Sequence, residues 1–104
     1  MVACEIDMTP ASYILFIETP TTADEVLRQL GVELDTALQE NFHYHYARDL
    51  GQLASLRVFR IDRGGLETYL ATCQAHGQRI GDIKPVALHQ RTGWLDAFQG
   101  KLIV

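Results

Sequence analysis

At 104 residues, 21% of them charged and with a formal charge of −4, the chain has the length of one domain (residues 1–104) able to build its own core. The acidic balance, with Lys84 and Lys101 the only lysines, argues against the clustered basic surface that nucleic acid requires. No apolar run approaches the ~20 residues of a membrane span, and the opening Met-Val-Ala-Cys-Glu-Ile-Asp lacks the basic start of a signal peptide. A cytoplasmic chain with neither nucleic acid nor membrane as a partner is expected. Cys4 and Cys73 lie far apart with no Cys-x-x-Cys spacing, so they read as free thiols of a reducing compartment.

Two extended segments open the chain. Residues 2–8 are short and mixed, whereas Tyr13-Ile14-Leu15-Phe16-Ile17-Glu18 is apolar on both faces, as suits a central strand covered on both sides. Thr9-Pro10-Ala11-Ser12 between them is turn chemistry, which makes a hairpin. Thr22-Ala23-Asp24-Glu25 fits a capping box opening a helix over residues 23–40. Its apolar stripe is Leu27, Leu30, Leu34 and Leu38, and Gly31 marks either a kink or a close approach. Residues 42–53 have no clean period; Tyr44, Tyr46 and Leu50 suit a helical turn ended by Gly51. Residues 56–61 are the next strand, broken by Asp62-Arg63-Gly64-Gly65. A second helix spans residues 66–75, with Gly77 as its stop. Residues 78–90 read as loop or extended chain, and Thr92 opens a short helix through Phe98. The order predicts an α+β two-layer sandwich: a small mixed β-sheet of about three strands packed by two main helices.

Few residues suggest chemistry. Lys84, held against Pro85 after the loop that contains Gly81, presents a compact ammonium suited to a phosphate or carboxylate oxygen; its bland alternative is a solvated surface lysine. Phe42, Tyr44 and Tyr46 alternate with His43 and His45 ahead of Arg48 and Asp49. This loop either faces a cleft or plugs the end of the core, with Arg48 paired to Asp49 or to a helix end. Two imidazoles two residues apart share a face only in extended chain, and no third ligand is near, so no metal site is expected. Gly-x-Ser-x-Gly, Gly-x-Gly-x-x-Gly and Walker patterns do not occur. Gly64-Gly65 before a helix is a weak signal for an anion at a helix N-terminus.

The order of these segments, from about residue 13 to about residue 85, resembles the small C-terminal domain of the auxin-responsive (Gretchen Hagen) acyl-acid amido synthetases, a branch of the adenylate-forming enzymes. Tyr13-Ile14-Leu15-Phe16-Ile17-Glu18 is similar to that family's opening Tyr-Val-Leu-Phe-Val-Glu strand, and Leu56-Arg57-Val58-Phe59-Arg60-Ile61 to its next strand. Asn41-Phe42-His43-Tyr44 resembles an Asn-Pro-x-Tyr segment without its proline. Gly64-Gly65-Leu66-x-x-Tyr69 resembles the Gly-x-Phe-x-x-Tyr start of a helix. Gly81-Asp82-Ile83-Lys84-Pro85 resembles Gly-Gln-x-Lys-x-Pro, with Asp82 in place of Gln and the proline one residue early.

Such enzymes activate a carboxylic acid with MgATP and pass the acyl group to an amine, usually an amino acid. The resemblance therefore implies a domain that is not catalytic alone and binds no cofactor by itself. ATP and Mg2+ would enter only with an N-terminal adenylation domain, in the same or a separate chain. Lys84 is the implied catalytic residue, on phosphate or the acyl carbonyl, and Tyr46 and Arg48 are the implied substrate-binding residues on the amine side. The other reading is a stand-alone, non-catalytic ligand-binding or protein-interaction module, open to forming a homodimer.

Overall fold

The run Tyr13-Ile14-Leu15-Phe16-Ile17 has no polar face, and a computed structural model, which describes residues 1–103, places it in the middle of the sheet. The chain runs β1 (Val2–Glu5), β2 (Ser12–Glu18), α1 (Asp24–Leu38), α2 (Phe42–Asp49), β3 (Arg57–Ile61), α3 (Gly65–Ala75), β4 (Leu88–His89) and β5 (Gly100–Ile103). Short 3-10 turns occupy Ile80–Asp82 and Trp94–Asp96. The strand order is β4-β1-β2-β3-β5. β1 and β2 form the expected antiparallel hairpin, with Val2 opposite Leu15. β2 and β3 are parallel, with Phe16 opposite Phe59, and β3 and β5 are antiparallel, with Phe59 opposite Leu102. β4 joins β1 in parallel at the other edge.

Alternation along the strands divides the core into two. Ile14, Phe16, Phe59 and Ile61 pack with Tyr69 and Cys73 of α3 and with Trp94 and Phe98. Leu15, Ile17 and Val58 pack instead with Leu27, Leu34 and Leu38 of α1. Both faces of the sheet are therefore covered, as the sequence of β2 requires. The α+β class and the mixed sheet stand, but two expectations are corrected. The sheet has five strands rather than about three, and its helices lie on both faces rather than forming a two-layer sandwich. The two extra strands are edge strands of two and four residues, too short to carry a period of their own.

Local chemistry explains the remaining differences. The Thr22–Glu25 capping box does not form: Ala23 holds the N-cap position with no side-chain cap, and the Thr22 hydroxyl pairs with that of Thr19 at 2.6 Å. Arg60 of β3 fastens this end of the helix by other bonds. Its guanidinium donates to the carbonyls of Thr19 and Thr22 and to the Asp24 carboxylate at 2.9 Å, which ties the start of α1 to the sheet. The loop after Glu40 becomes α2, because Asn41 Oδ1 accepts the Tyr44 N–H at 3.1 Å and so serves as its N-cap. Gly51 and Gly77, with φ of 74° and 95°, follow α2 and α3 in the expected stop positions. Thr92 does not open the last helix; Gly93 holds that place, and only one 3-10 turn follows.

The buried stripe of α1 also differs. Leu30 is exposed, whereas Leu27, Gly31 and Asp35 are buried. Gly31 marks a close approach and not a kink: α1 continues through it, and a Cβ there would lie 2.9 Å from Val58 Cγ2. Asp35 is the unexpected member. Its Oδ1 accepts the Tyr44 hydroxyl at 2.5 Å and the Leu56 N–H at 3.0 Å. Its Oδ2 accepts Gln39 at 3.1 Å and Arg48 at 3.3 Å. One carboxylate thus joins α1, α2 and the start of β3. Burial opposes its charge, but the hydrogen bonds from Tyr44, Leu56 and Gln39, helped by the Arg48 charge, outweigh it and hold the carboxyl below its ordinary range. Burial, and then the neighbouring carboxylate, push the Tyr44 phenol up.

A depressed folded pKa stabilises the fold fully above the ordinary Asp value of about 3.9, and the contribution is lost as pH falls through the lower folded value. The wild-type chain is accordingly expected to lose stability along this acid limb. Asp35→Asn should be about 2–4 kcal/mol less stable at pH 7 and show a shallower acid limb. Urea denaturation across a pH series measures both.

Candidate functional site

The face of the sheet covered by α3 holds a cleft of about 610 Å³, within the size range of small-molecule sites. Phe16 of β2, Ile61 of β3 and Phe98 give it apolar surface, Leu66 and Tyr69 of α3 line one side, and Pro85 and Val86 line another. Glu18, the last residue of β2, and Glu67, in the first turn of α3, add carboxylates.

The geometry around Gly64 and Gly65 follows from that crowding. Gly64 takes a left-handed conformation (φ 67°), which glycine adopts without steric cost. A Cβ on Gly65 would lie 2.6 Å from Glu18 Oε1, and the Gly65 N–H donates to that oxygen at 2.7 Å. The positive end of the α3 dipole is therefore met by the chain's own carboxylate. The weak anion-site reading of Gly64-Gly65 is answered: Glu18 fills it.

Lys84 emerges beside this cleft. The residue before it, Ile83, is buried in the α3-side core, and the two after it, Pro85 and Val86, line the cleft. The Lys84 carbonyl accepts the Tyr69 hydroxyl at 2.8 Å, while the residue itself is exposed. The backbone is thus anchored on both sides of a lysine whose ammonium is left to solvent.

Tyr46 and Arg48 lie on the opposite face of the sheet. They belong to α2, whose Tyr44 packs against Tyr13 at 5.8 Å between ring centres and bonds Asp35 of α1. Tyr46 is exposed and stacks on Phe42, ring centres 5.9 Å apart. Neither ring plugs the core, since Phe42 is 72% exposed. Arg48 is mostly buried against Asp35 and not against Asp49; Asp49 pairs with His45 at 3.1 Å. The chain by itself does not bring Lys84 together with Tyr46 and Arg48. His43 and His45 are helical, so their imidazoles diverge, and no group of three or more His, Cys, Asp or Glu suited to a metal occurs among the described residues. Among those residues no helix is long and apolar enough to cross a membrane.

The sequence reading missed Glu18, Glu67, Pro85 and Val86 as lining residues. Only one local signal pointed to them, the Gly64-Gly65 pair before a helix. The others meet through the parallel pairing of β2 with β3, which sets Glu18 opposite Ile61 just ahead of α3.

Comparison with known families matches residues 1–92 to the GH3 family C-terminal domain. Comparison with curated proteins gives no match.

The placement of the three candidate residues separates structural from functional effects. Arg48→Ala leaves Asp35 short of a partner and should destabilise the fold by about 1–3 kcal/mol. Tyr46→Ala and Lys84→Ala, both at exposed positions, should stay within about 0.5 kcal/mol of wild type. Thermal or urea denaturation of the three variants side by side checks the ranking.

Proposed function

The chain belongs to the GH3 family of C-terminal domains, and from that premise we propose that it serves as the C-terminal domain of an ATP-dependent acyl-acid amido synthetase. In this reading it works with an N-terminal adenylation domain, in the same or a separate chain, and is not catalytic alone. The observation that carries the reading is the family match, which spans the Gly-x-x-Lys-Pro segment. The placement of Lys84 supports it, with a backbone fixed by Ile83 and Tyr69 and an exposed side chain.

In this reading ATP and Mg2+ belong to the adenylation domain; in this chain the first N–H of α3 is taken by Glu18. Lys84 is the catalytic residue of the proposal. Its ammonium would stabilise negative charge on a phosphate or acyl carbonyl oxygen presented by that domain. On the amine side Tyr46 retains an exposed ring, while Arg48 is held by Asp35 and supports α2. A cytoplasmic setting suits the free thiols Cys4 and Cys73. The second reading, a stand-alone ligand-binding or interaction module that includes the homodimer, is favoured by one observation: this chain alone forms a cleft of small-molecule size.

Co-expression with a candidate adenylation domain tests the first reading through MgATP- and amine-dependent amide formation. The wild-type chain should raise the rate over the adenylation domain alone, and Lys84→Ala should remove about 100-fold or more of it. No gain from the wild type, or full activity of Lys84→Ala, would reject the catalytic reading.

A further inference from the structure

We propose that the cleft on the α3 face binds a small organic amine with an apolar, ring-sized body and no carboxylate of its own. The inference goes beyond the acyl-transfer reading, because every residue it uses belongs to this chain and no nucleotide or partner domain takes part.

Shape and charge both select the ligand. Phe16, Ile61, Leu66, Tyr69, Val86 and Phe98 give the cleft mainly apolar walls, and its volume of about 610 Å³ accommodates an aromatic ring with a short chain. The charged side chains that line it are Glu18 and Glu67, both carboxylates. One Glu18 oxygen takes the Gly65 N–H; its second oxygen accepts no hydrogen bond among the described residues. Glu67 likewise has no hydrogen-bond or ion-pair partner there. Arg63 lines a neighbouring cleft beside Glu67 rather than this one, and Lys84 is not among the lining residues. Met1 does line the cleft, but its amine donates to the Phe16 carbonyl at 3.1 Å and burial lowers its pKa, so it sets at most one positive charge against two carboxylates.

Two carboxylates beside apolar walls favour a cation whose body is hydrophobic. A ligand that enters with its own carboxylate places like charges together. The cleft should thus discriminate against α-amino acids and carboxylic acids and in favour of simple amines. The Glu18 carboxylate also shuts an anion out of the α3 N-terminus.

Titration calorimetry or NMR shift mapping on the intact chain, without nucleotide, tests this with three probes sharing one ring: 2-phenylethylamine, phenylalanine and 3-phenylpropanoate. The amine should bind with shifts at Leu66, Tyr69 and Val86, and the other two should bind at least about ten-fold more weakly. Glu67→Gln, an exposed substitution that leaves the Glu18–Gly65 bond in place, should weaken the amine about ten-fold with an unchanged melting temperature. Val86→Trp, which fills the cleft from an exposed position, should abolish binding while the far-ultraviolet spectrum is retained. Equal affinity for acid and amine, no amine binding at millimolar concentration, or full affinity in Glu67→Gln would each overturn the proposal. None of these outcomes bears on whether an adenylation domain uses Lys84.

Discussion

The carboxylate of Asp35 closes the connection on which the rest of this fold depends. β2 and β3 are parallel, so a crossover must carry the chain from the end of one to the start of the other. That crossover is α1 followed by α2, and it has to be held against the start of β3. Asp35 does this by accepting from the Tyr44 hydroxyl on α2 and from the Leu56 N–H just before β3. A buried charge is costly unless its lone pairs are filled; here four donors fill them. Arg60 does the matching work at the other end of the crossover, where its guanidinium gathers the Thr19 and Thr22 carbonyls and the Asp24 carboxylate.

With one face of the sheet closed by the crossover, the other is left to α3 and the segments after it, and carboxylates organise that face too. Glu5, buried to 2% exposure, accepts the N–H groups of Trp94 at 2.9 Å and Gly93 at 3.3 Å. It thereby holds the Trp94–Asp96 turn over β1. Trp94 is then enclosed by Tyr69 and Phe98, each stacked on it with ring centres 5.4 Å away. Glu18 takes the start of α3 in the same way. Charge-assisted bonds of this kind are stronger than neutral ones, and they use acceptors that a ligand cannot displace cheaply. One consequence is that the start of α3 is engaged from within the chain, while Lys84 beside the cleft stays exposed.

Much of this was legible from residues in sequence. The doubly apolar β2 announced a central, covered strand, and Gly51 and Gly77 marked helix ends because few other residues take their backbone angles. What stayed hidden depended on contacts between distant residues. Periodicity put Leu30 on the buried stripe of α1, but Asp35 is buried instead, since its partners Tyr44, Arg48 and Leu56 arrive only when the crossover closes. Thr22 looked like a cap, but its hydroxyl pairs with that of Thr19 and its carbonyl is taken by Arg60, thirty-eight residues away. β4 pairs with β1, at the opposite end of the sequence, through only two residues, a contact without a local signature. The family resemblance correctly placed the chain among C-terminal domains. It could not show that Lys84 and the pair Tyr46 and Arg48 lie on opposite faces of the sheet, because that division is a property of the closed fold.

The central functional proposal is that Lys84 is presented to an adenylation domain. A benzophenone side chain introduced at position 84, and separately at position 46, tests it directly in a mixture with that domain bearing a stable acyl-adenylate analogue. The account predicts a crosslink from position 84 that depends on the analogue. A crosslink from position 46 with none from position 84, or none from either, would contradict it.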